Sequence, residues 1–178
     1  MREAAKIAGL ASAAAIAYGV ALDQVTARLS LEYFSVAHPS PVGTTSPSWL
    51  GAAWGVVATW WVGVVFGLAL AGVARAGARP PRSATSLVRP IVRLLLATAA
   101  CAFALGALGW LGASRGALEL RDPWASEIAP ARHARFFAAW GATGASYVAG
   151  LLGAILLCAG VWRSRGIAQD AIERDARA

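Results

Sequence analysis

Charged residues are scarce in this sequence: Asp, Glu, Lys and Arg make up only 14% of its 178 residues. Soluble domains carry about 25%, and so few charges could not keep the surface of a soluble protein solvated. Hydrophobic residues make up 58%, and the mean hydropathy is +0.57. The composition therefore predicts an integral membrane protein that forms a single domain over residues 1–178.

Residue types on which many cofactor sites depend are also rare. The chain has two cysteines, Cys101 and Cys158, and two histidines, His38 and His133. The cysteines fall at different depths of two apolar runs, which argues against a disulfide. No Cys-x-x-Cys, His-Glu-x-x-His, Gly-x-Ser-x-Gly or phosphate-binding loop is present. The sequence therefore indicates neither a particular reaction nor a particular cofactor.

Four apolar runs predict an all-α bundle of four transmembrane helices. About 20 helical residues cross a hydrocarbon core of ~30 Å, and each run meets or approaches that length. The predicted spans are 7–27, 49–74, 91–113 and 136–162, with loops at 28–48, 75–90 and 114–135 and a tail at 163–178.

Ionisable residues are almost absent from the last three spans. They contain no Asp, Glu, Lys or His, and Arg93 lies only at the start of the third. Buried charges mark proton relays, charged pores and voltage sensors in membrane proteins. Their absence argues against those functions, and the absence of a histidine argues against a haem ligated between the spans.

The basic residues predict the orientation of the chain. Eleven of the sixteen Lys and Arg residues flank the spans on the side that holds both termini and loop 75–90, and five lie on the other side. Positively charged flanks remain in the cytoplasm, so both ends are expected inside. The arginines border apolar runs and form no patch for nucleic acid. Fifteen Arg to one Lys and no Asn are typical of a GC-rich bacterial genome, which favours a bacterial inner membrane.

The first span has a second interpretation. Arg2 and Lys6 precede a short, Ala-rich apolar run, as in a secretory signal peptide. Asp23 and Gln24 follow Leu22 without a small-x-small cleavage site, which favours retention of the span.

The segments that follow spans one and three share an alternation of apolar and polar residues. Residues 28–34 and 117–121 show the period of a half-buried strand. Two short strands could therefore pair into a small cap on the outer face. Alternatively, residues 23–34 prolong the first helix, with Arg28 and Glu32 paired at i,i+4.

Small residues recur every fourth position in two spans. In lipid, close backbone approach drives helix association, so these stripes predict that spans two and four touch each other or that one of them meets a partner subunit or a second copy of the chain. The stripes comprise Gly51, Gly55, Thr59, Gly63, Gly67 and Ala71 in span two, and Gly141, Ala145, Ala149 and Gly153 in span four.

Most of the eight tryptophans lie near predicted membrane edges, where indoles anchor at the headgroups. Trp60 and Trp61 instead lie near the middle of span two. They are candidates for contact with lipid, a neighbouring helix or a bound hydrophobic molecule.

The outer loops hold the candidate site residues. Carboxylates and imidazoles on one face are the groups that bind metal ions or act as acid–base pairs. Candidate catalytic residues are Asp23, Arg28, Glu32, His38 and His133, and candidate metal ligands are Glu32, His38 and His133. Alternatively, these residues are ordinary solvated side chains of the loops and have no part in a site.

Residues 18–63 carry DQVTAR at 23–28, EYF at 32–34, HP at 38–39 and ATWW at 58–61. This stretch resembles a group of small bacterial multi-span membrane proteins for which no activity is known. The resemblance covers about a quarter of the chain and directs attention to its first outer loop.

Two hypotheses on function follow from the sequence. The first is a non-enzymatic accessory or scaffold subunit that packs against partner proteins or lipids. The alternative is a membrane enzyme or metal-binding protein with a His/carboxylate site on the outer face.

Overall fold

Long α-helices make up most of the chain. The computed structural model describes residues 1–38 and 42–177. Its elements are α1 (Arg2–Leu29), α2 (Leu31–Ser35), α3 (Pro47–Arg75), α4 (Ala84–Ser114), α5 (Trp124–Glu127), a 3-10 turn (Pro130–Arg132) and α6 (His133–Asp175). Four of these helices, α1, α3, α4 and α6, are long and apolar enough to cross a membrane.

The helix ends follow local chemistry. Pro47 begins α3, where its missing N–H costs nothing, and the Ser83 hydroxyl accepts a hydrogen bond from the Ser86 N–H at the start of α4. After α3 and α4 the chain reverses through Gly77 (φ 77°) and Gly116 (φ 72°), which occupy left-handed conformations that favour glycine. The four long helices therefore run up and down.

The bundle is built from two helix pairs, α1 with α3 and α4 with α6, which contact each other less extensively. We call the end that carries α2, α5 and the 3-10 turn the cap end. The opposite end, with the α3–α4 loop and the C-terminal part of α6, is the tail end. Each end has its own apolar core. The cap-end core is Ala27, Tyr33, Phe34, Leu50, Leu120, Ile128, Phe136 and Ala139, and the tail-end core is Ile7, Leu70, Ala71, Ala74, Leu87, Ile91 and Val161.

The small-residue stripe of α3 packs against α1. A Cβ atom added to Gly51 would lie 2.6 Å from the Asp23 carbonyl oxygen, and one added to Gly55 would lie 2.5 Å from the Val20 nitrogen. Farther along, Gly63 and Gly67 contact the backbone of α1 at Ser12 and Ala8, and Thr59 fits against Gly19. This stripe therefore meets the first span, whereas the second and fourth spans contact each other less extensively.

The stripe of α6 packs against α4 in the same way. A Cβ atom at Gly141 would lie 2.6 Å from the Leu105 carbonyl oxygen, and one at Gly153 would collide with the Leu94 side chain. Ala145 and Ala149, between these glycines, are half-buried. Each stripe thus joins a helix to the long helix that precedes it in the chain.

The predicted strand pair at the cap is wrong for the part of the chain that the structure describes, which contains no strand. Residues 28–34 form the end of α1, an extended Ser30 and then α2. Residues 117–121 have no neighbouring strand, and their alternation arises because Leu120 is buried while Glu119 and Arg121 are exposed. The helical alternative is closer, although Arg28 and Glu32 do not pair.

Candidate functional site

Arg28 connects the end of α1 to the start of α3. Its guanidinium donates to the Gln24 carbonyl and side-chain oxygens, both at 2.6 Å, and to the Ser48 hydroxyl at 2.8 Å. Gln24 in turn donates to the Ser48 carbonyl at 2.9 Å. All the polar contacts of Arg28 therefore join two helix ends.

Glu32 connects α2 to the turn that precedes α6. Its carboxylate pairs with Arg132 and accepts a hydrogen bond from the Ser30 hydroxyl at 3.1 Å. Burial raises the pKa of Glu32, but hydrogen bonds from its own backbone N–H, Arg132 and Ser30, together with the charge of Arg132, outweigh burial and hold the pKa below its usual range. Glu32 is therefore ionised and engaged within the cap.

The two histidines are each bound to a carbonyl group of their own segment. His38 Nδ1 lies 2.8 Å from the Tyr33 carbonyl oxygen, and His133 Nε2 lies 2.8 Å from that of Ile128. Across residues 1–38 and 42–177 no group of three or more His, Cys, Asp and Glu side chains is arranged to hold a metal ion. Glu32, His38 and His133 thus do not form the expected metal site there.

Asp23 lies inside the protein and not on a solvated loop. It belongs to the last two turns of α1, is only 6% exposed, and accepts one side-chain hydrogen bond, from the Thr26 hydroxyl at 3.3 Å. The structure gives it no cationic partner among the described residues. A buried carboxylate with so little compensation is costly, which makes Asp23 the most unusual of the five candidates.

Further polar groups surround this carboxylate at the cap end. Burial raises the pKa of the Tyr33 hydroxyl, and the nearby charges of Tyr147 and Asp23 raise it further, against the opposing effect of the neighbouring Thr143 hydroxyl. On the same face of α6 the Ser146 hydroxyl lies 2.8 Å from that of Tyr18 in α1. A polar cluster therefore lies within the helix bundle near its cap.

One buried polar atom of this region, Trp54 Nε1, has no hydrogen-bond partner among the described residues. Trp54 contacts the His38 ring, whose centroid lies 5.6 Å away, and His38 in turn contacts the Tyr33 ring at 4.7 Å. Buried donors are almost always satisfied in folded proteins. The Trp54 indole is therefore an exception among the buried polar groups that the structure describes.

Trp60 and Trp61 lie outside both apolar cores. Each side chain is 52% exposed on the surface of α3, which leaves the indoles directed away from the bundle. Neither indole therefore contributes to the packed interior of the bundle.

Arg165 forms a site at the tail end that its sequence position does not reveal. The side chain is completely buried, and its guanidinium donates to four carbonyl oxygens, with no carboxylate partner within residues 1–38 and 42–177. The acceptors lie in the last turns of α3 and in the loop that follows: Val73 at 2.6 Å, Ala76 at 2.9 Å, Arg79 at 2.7 Å and Pro80 at 2.9 Å. The buried guanidinium is therefore not free to contact solvent or headgroups.

Neighbouring contacts reinforce this site. The Arg79 guanidinium lies 4.2 Å from the centroid of the Trp162 ring and donates to the Trp162 carbonyl at 3.1 Å. The Arg82 side chain donates to the Ser164 hydroxyl at 3.0 Å. The carbonyl groups at the end of a helix carry partial negative charge, which explains how several arginines can gather here.

Comparisons with protein-family models, curated proteins and solved structures match nothing. The site must therefore be interpreted from its own geometry.

Proposed function

We propose that this chain is a non-enzymatic multi-pass protein of the bacterial inner membrane, an accessory or scaffold subunit with both termini in the cytoplasm. Four candidate membrane-spanning helices support the membrane location. The outer-face residues Arg28, Glu32, His38 and His133 join segments of the cap, which leaves them little freedom for catalysis.

The exposed indoles of Trp60 and Trp61 are the observation that carries the proposal. They lie more than three turns from Pro47, at the start of α3, and therefore away from the headgroup level where indole N–H groups find acceptors. Their N–H groups have no acceptor within the described part of the chain, and a donor left unpaired in hydrocarbon costs free energy. A partner helix that covers this face of α3 would remove that cost.

Site-specific photocrosslinking tests the proposal. We expect a photoreactive residue at Trp61 to crosslink to another polypeptide in intact cells. The matched control is the same residue at Trp110, which is 50% exposed but lies near the end of α4, where a tryptophan serves as a headgroup anchor. Lipid-only adducts at Trp61, together with purification of the chain as a lone monomer in mild detergent, would contradict the proposal.

A second function is favoured by the polar cluster around Asp23. A membrane enzyme or ligand-binding protein could retain a costly buried carboxylate because the carboxylate acts on a bound polar molecule. Asp23→Asn should then stabilise the fold by about 1 kcal/mol or more in thermal unfolding, because it removes an unpaired buried charge, while it abolishes the cellular phenotype of the wild type. Asp122→Asn, at an exposed position, is the control.

A further inference from the structure

Two grooves meet on the surface between α4 and α6 at the cap end. The polar groove has a volume of about 510 Å³, and its polar side chains are Ser114, Glu119 and His133. The apolar groove has a volume of about 490 Å³ and lies against the helices. Leu118 lines both grooves, so the two adjoin at this residue, and we call them together the depression. The large side chains of the apolar groove are Leu105, Leu108, Leu118, Phe137 and Trp140.

The depression is deep enough for a headgroup and the upper part of an acyl chain. Along α4 it reaches from Ser114, in the polar groove, to Leu105, in the apolar groove, nine residues or about 14 Å. The apolar groove itself takes up Leu105–Gly109 of α4 and Phe137–Gly144 of α6, about 6 to 10 Å along the helix axes. Half of a ~30 Å hydrocarbon core is about 15 Å, so the apolar groove covers the outer part of one leaflet.

The walls of this groove are flat and open. The rings of Phe137 and Trp140 are stacked, with centroids 5.9 Å apart and planes inclined by 16°. Gly144 forms part of the floor, and no atom lies within 4 Å of the position that a Cβ atom would take there. Leu108, on the opposite wall, is 59% exposed. A surface of this kind accommodates an extended hydrocarbon chain.

The polar groove offers groups of both signs above the apolar one. Glu119 is exposed and has no hydrogen-bond or ion-pair partner within residues 1–38 and 42–177. Ala134 and His133 belong to the first turn of α6, where the helix dipole favours a negative group. A carboxylate beside a positive helix end is complementary to a headgroup that contains an ammonium and a phosphate.

We infer that this depression binds one phospholipid with an ethanolamine headgroup. One acyl chain lies in the apolar groove against Trp140 and Gly144. The phosphate faces the first turn of α6, and the ammonium group contacts the Glu119 carboxylate. The inference deepens the proposed function by naming a lipid class, and it rests on the chain lying in a membrane. It does not depend on a partner at Trp61, so the crosslinking test of the proposed function and the lipid-binding test below can fail independently.

Native mass spectrometry of the full chain tests this site. The protein is extracted in mild detergent and exchanged against equal amounts of phosphatidylethanolamine and phosphatidylglycerol. We expect the wild type to retain one phosphatidylethanolamine. Gly144→Leu should lower the lipid-bound fraction about tenfold, because its Cβ position is open and the added side chain occupies the groove. Glu119→Gln should reduce the preference for phosphatidylethanolamine about fivefold, because it removes the charge that meets the ammonium.

Gly160→Leu is the matched control. Gly160 lies on the same helix, also has no atom within 4 Å of its Cβ position, and is absent from the groove. Its substitution should leave lipid retention unchanged. The inference is overturned if the wild type retains no more lipid than Gly144→Leu, or if phosphatidylglycerol is retained equally well. It is also overturned if a second copy of the chain occupies this face, seen as a lipid-free dimer that Gly144→Leu dissociates.

Discussion

Arg165 illustrates how a single residue can join elements that are distant in sequence. A buried guanidinium normally requires a carboxylate, because an unpaired charge is expensive to remove from water. Here the acceptors are carbonyl groups in the last turns of α3 and in the following loop, groups that a helix end leaves without partners. The guanidinium donates hydrogen bonds to the carbonyl groups, and the carbonyl groups stabilise its positive charge. Each would be costly to bury without the other.

Arg165→Lys should therefore lower the free energy of unfolding by about 2–4 kcal/mol, because one ammonium cannot reach four acceptors spread across a fork. Thermal unfolding in detergent, followed by circular dichroism, measures the effect. Arg163→Lys is the control, since Arg163 is exposed and should change stability by less than about 0.5 kcal/mol. Equal stability of the two variants would contradict the assigned role.

The burial of Arg165 and of Asp23 could not be predicted from sequence for related reasons. Each lies at the boundary of an apolar run, where the usual rules place charged side chains among headgroups or in solvent. Whether such a residue turns inward depends on what the neighbouring segments present to it. For Arg165 these are the carbonyls of the last turns of α3 and of the α3–α4 loop, and for Asp23 it is the close approach of α3, which brings Gly51 against the Asp23 backbone.

At the scale of elements, the four long helices were predictable because lipid imposes a length and a composition on each of them. The predicted ranges each lie within one helix of the structure. The small-residue stripes could also be predicted, since a repeat every fourth residue can be read directly from the sequence. The helices that pack against them could not be predicted, because a smooth glycine surface is complementary to any helix that approaches closely. Loop length does not decide the matter, since the shortest connection between long helices joins α3 to α4, whereas the packed pairs are α1 with α3 and α4 with α6.

Gly55→Ala should separate α1 from α3. Its added Cβ would lie 2.5 Å from the Val20 nitrogen and also strike the Val20 Cα, and backbone atoms cannot rotate aside. We expect a loss of about 1–3 kcal/mol in unfolding free energy. Gly72→Ala on the same helix has no atom within 4 Å and should instead stabilise the protein by up to about 1 kcal/mol. Similar melting temperatures for the two variants would show that the α1–α3 contact is looser than described.

At the cap, the prediction made from the alternation of apolar and polar residues alone was wrong. Alternation over residues 117–121 indicated a strand, but a strand requires a neighbour with free backbone groups. No such neighbour exists in the described part of the chain. Leu120 instead joins Phe34, Ile128 and Phe136 in an apolar cluster, whereas Leu118 is 41% exposed, so the alternation does not mark one buried face.

At the scale of the whole molecule, the unequal charge of the two ends predicts the orientation. Eleven of the sixteen basic residues belong to the tail end and five to the cap end, while acidic residues are divided almost equally. Positively charged segments resist translocation, so the tail end is expected in the cytoplasm. Fluorescent-protein fusions should be bright after Arg177 and after Ala78. Alkaline phosphatase fusions should be active after Gly116.

The distribution of basic residues also predicts how the orientation responds to substitution of the buried Arg165. Arg165→Gln leaves ten basic residues against five, so the reporter pattern should persist even though the folded bundle is weakened. Orientation depends on the number of charges present during insertion, whereas stability depends on where one guanidinium lies afterwards. Phosphatase activity after Arg177 in the wild type would refute the proposed orientation. Reversal in Arg165→Gln alone would instead show that a folded tail end is needed to fix it.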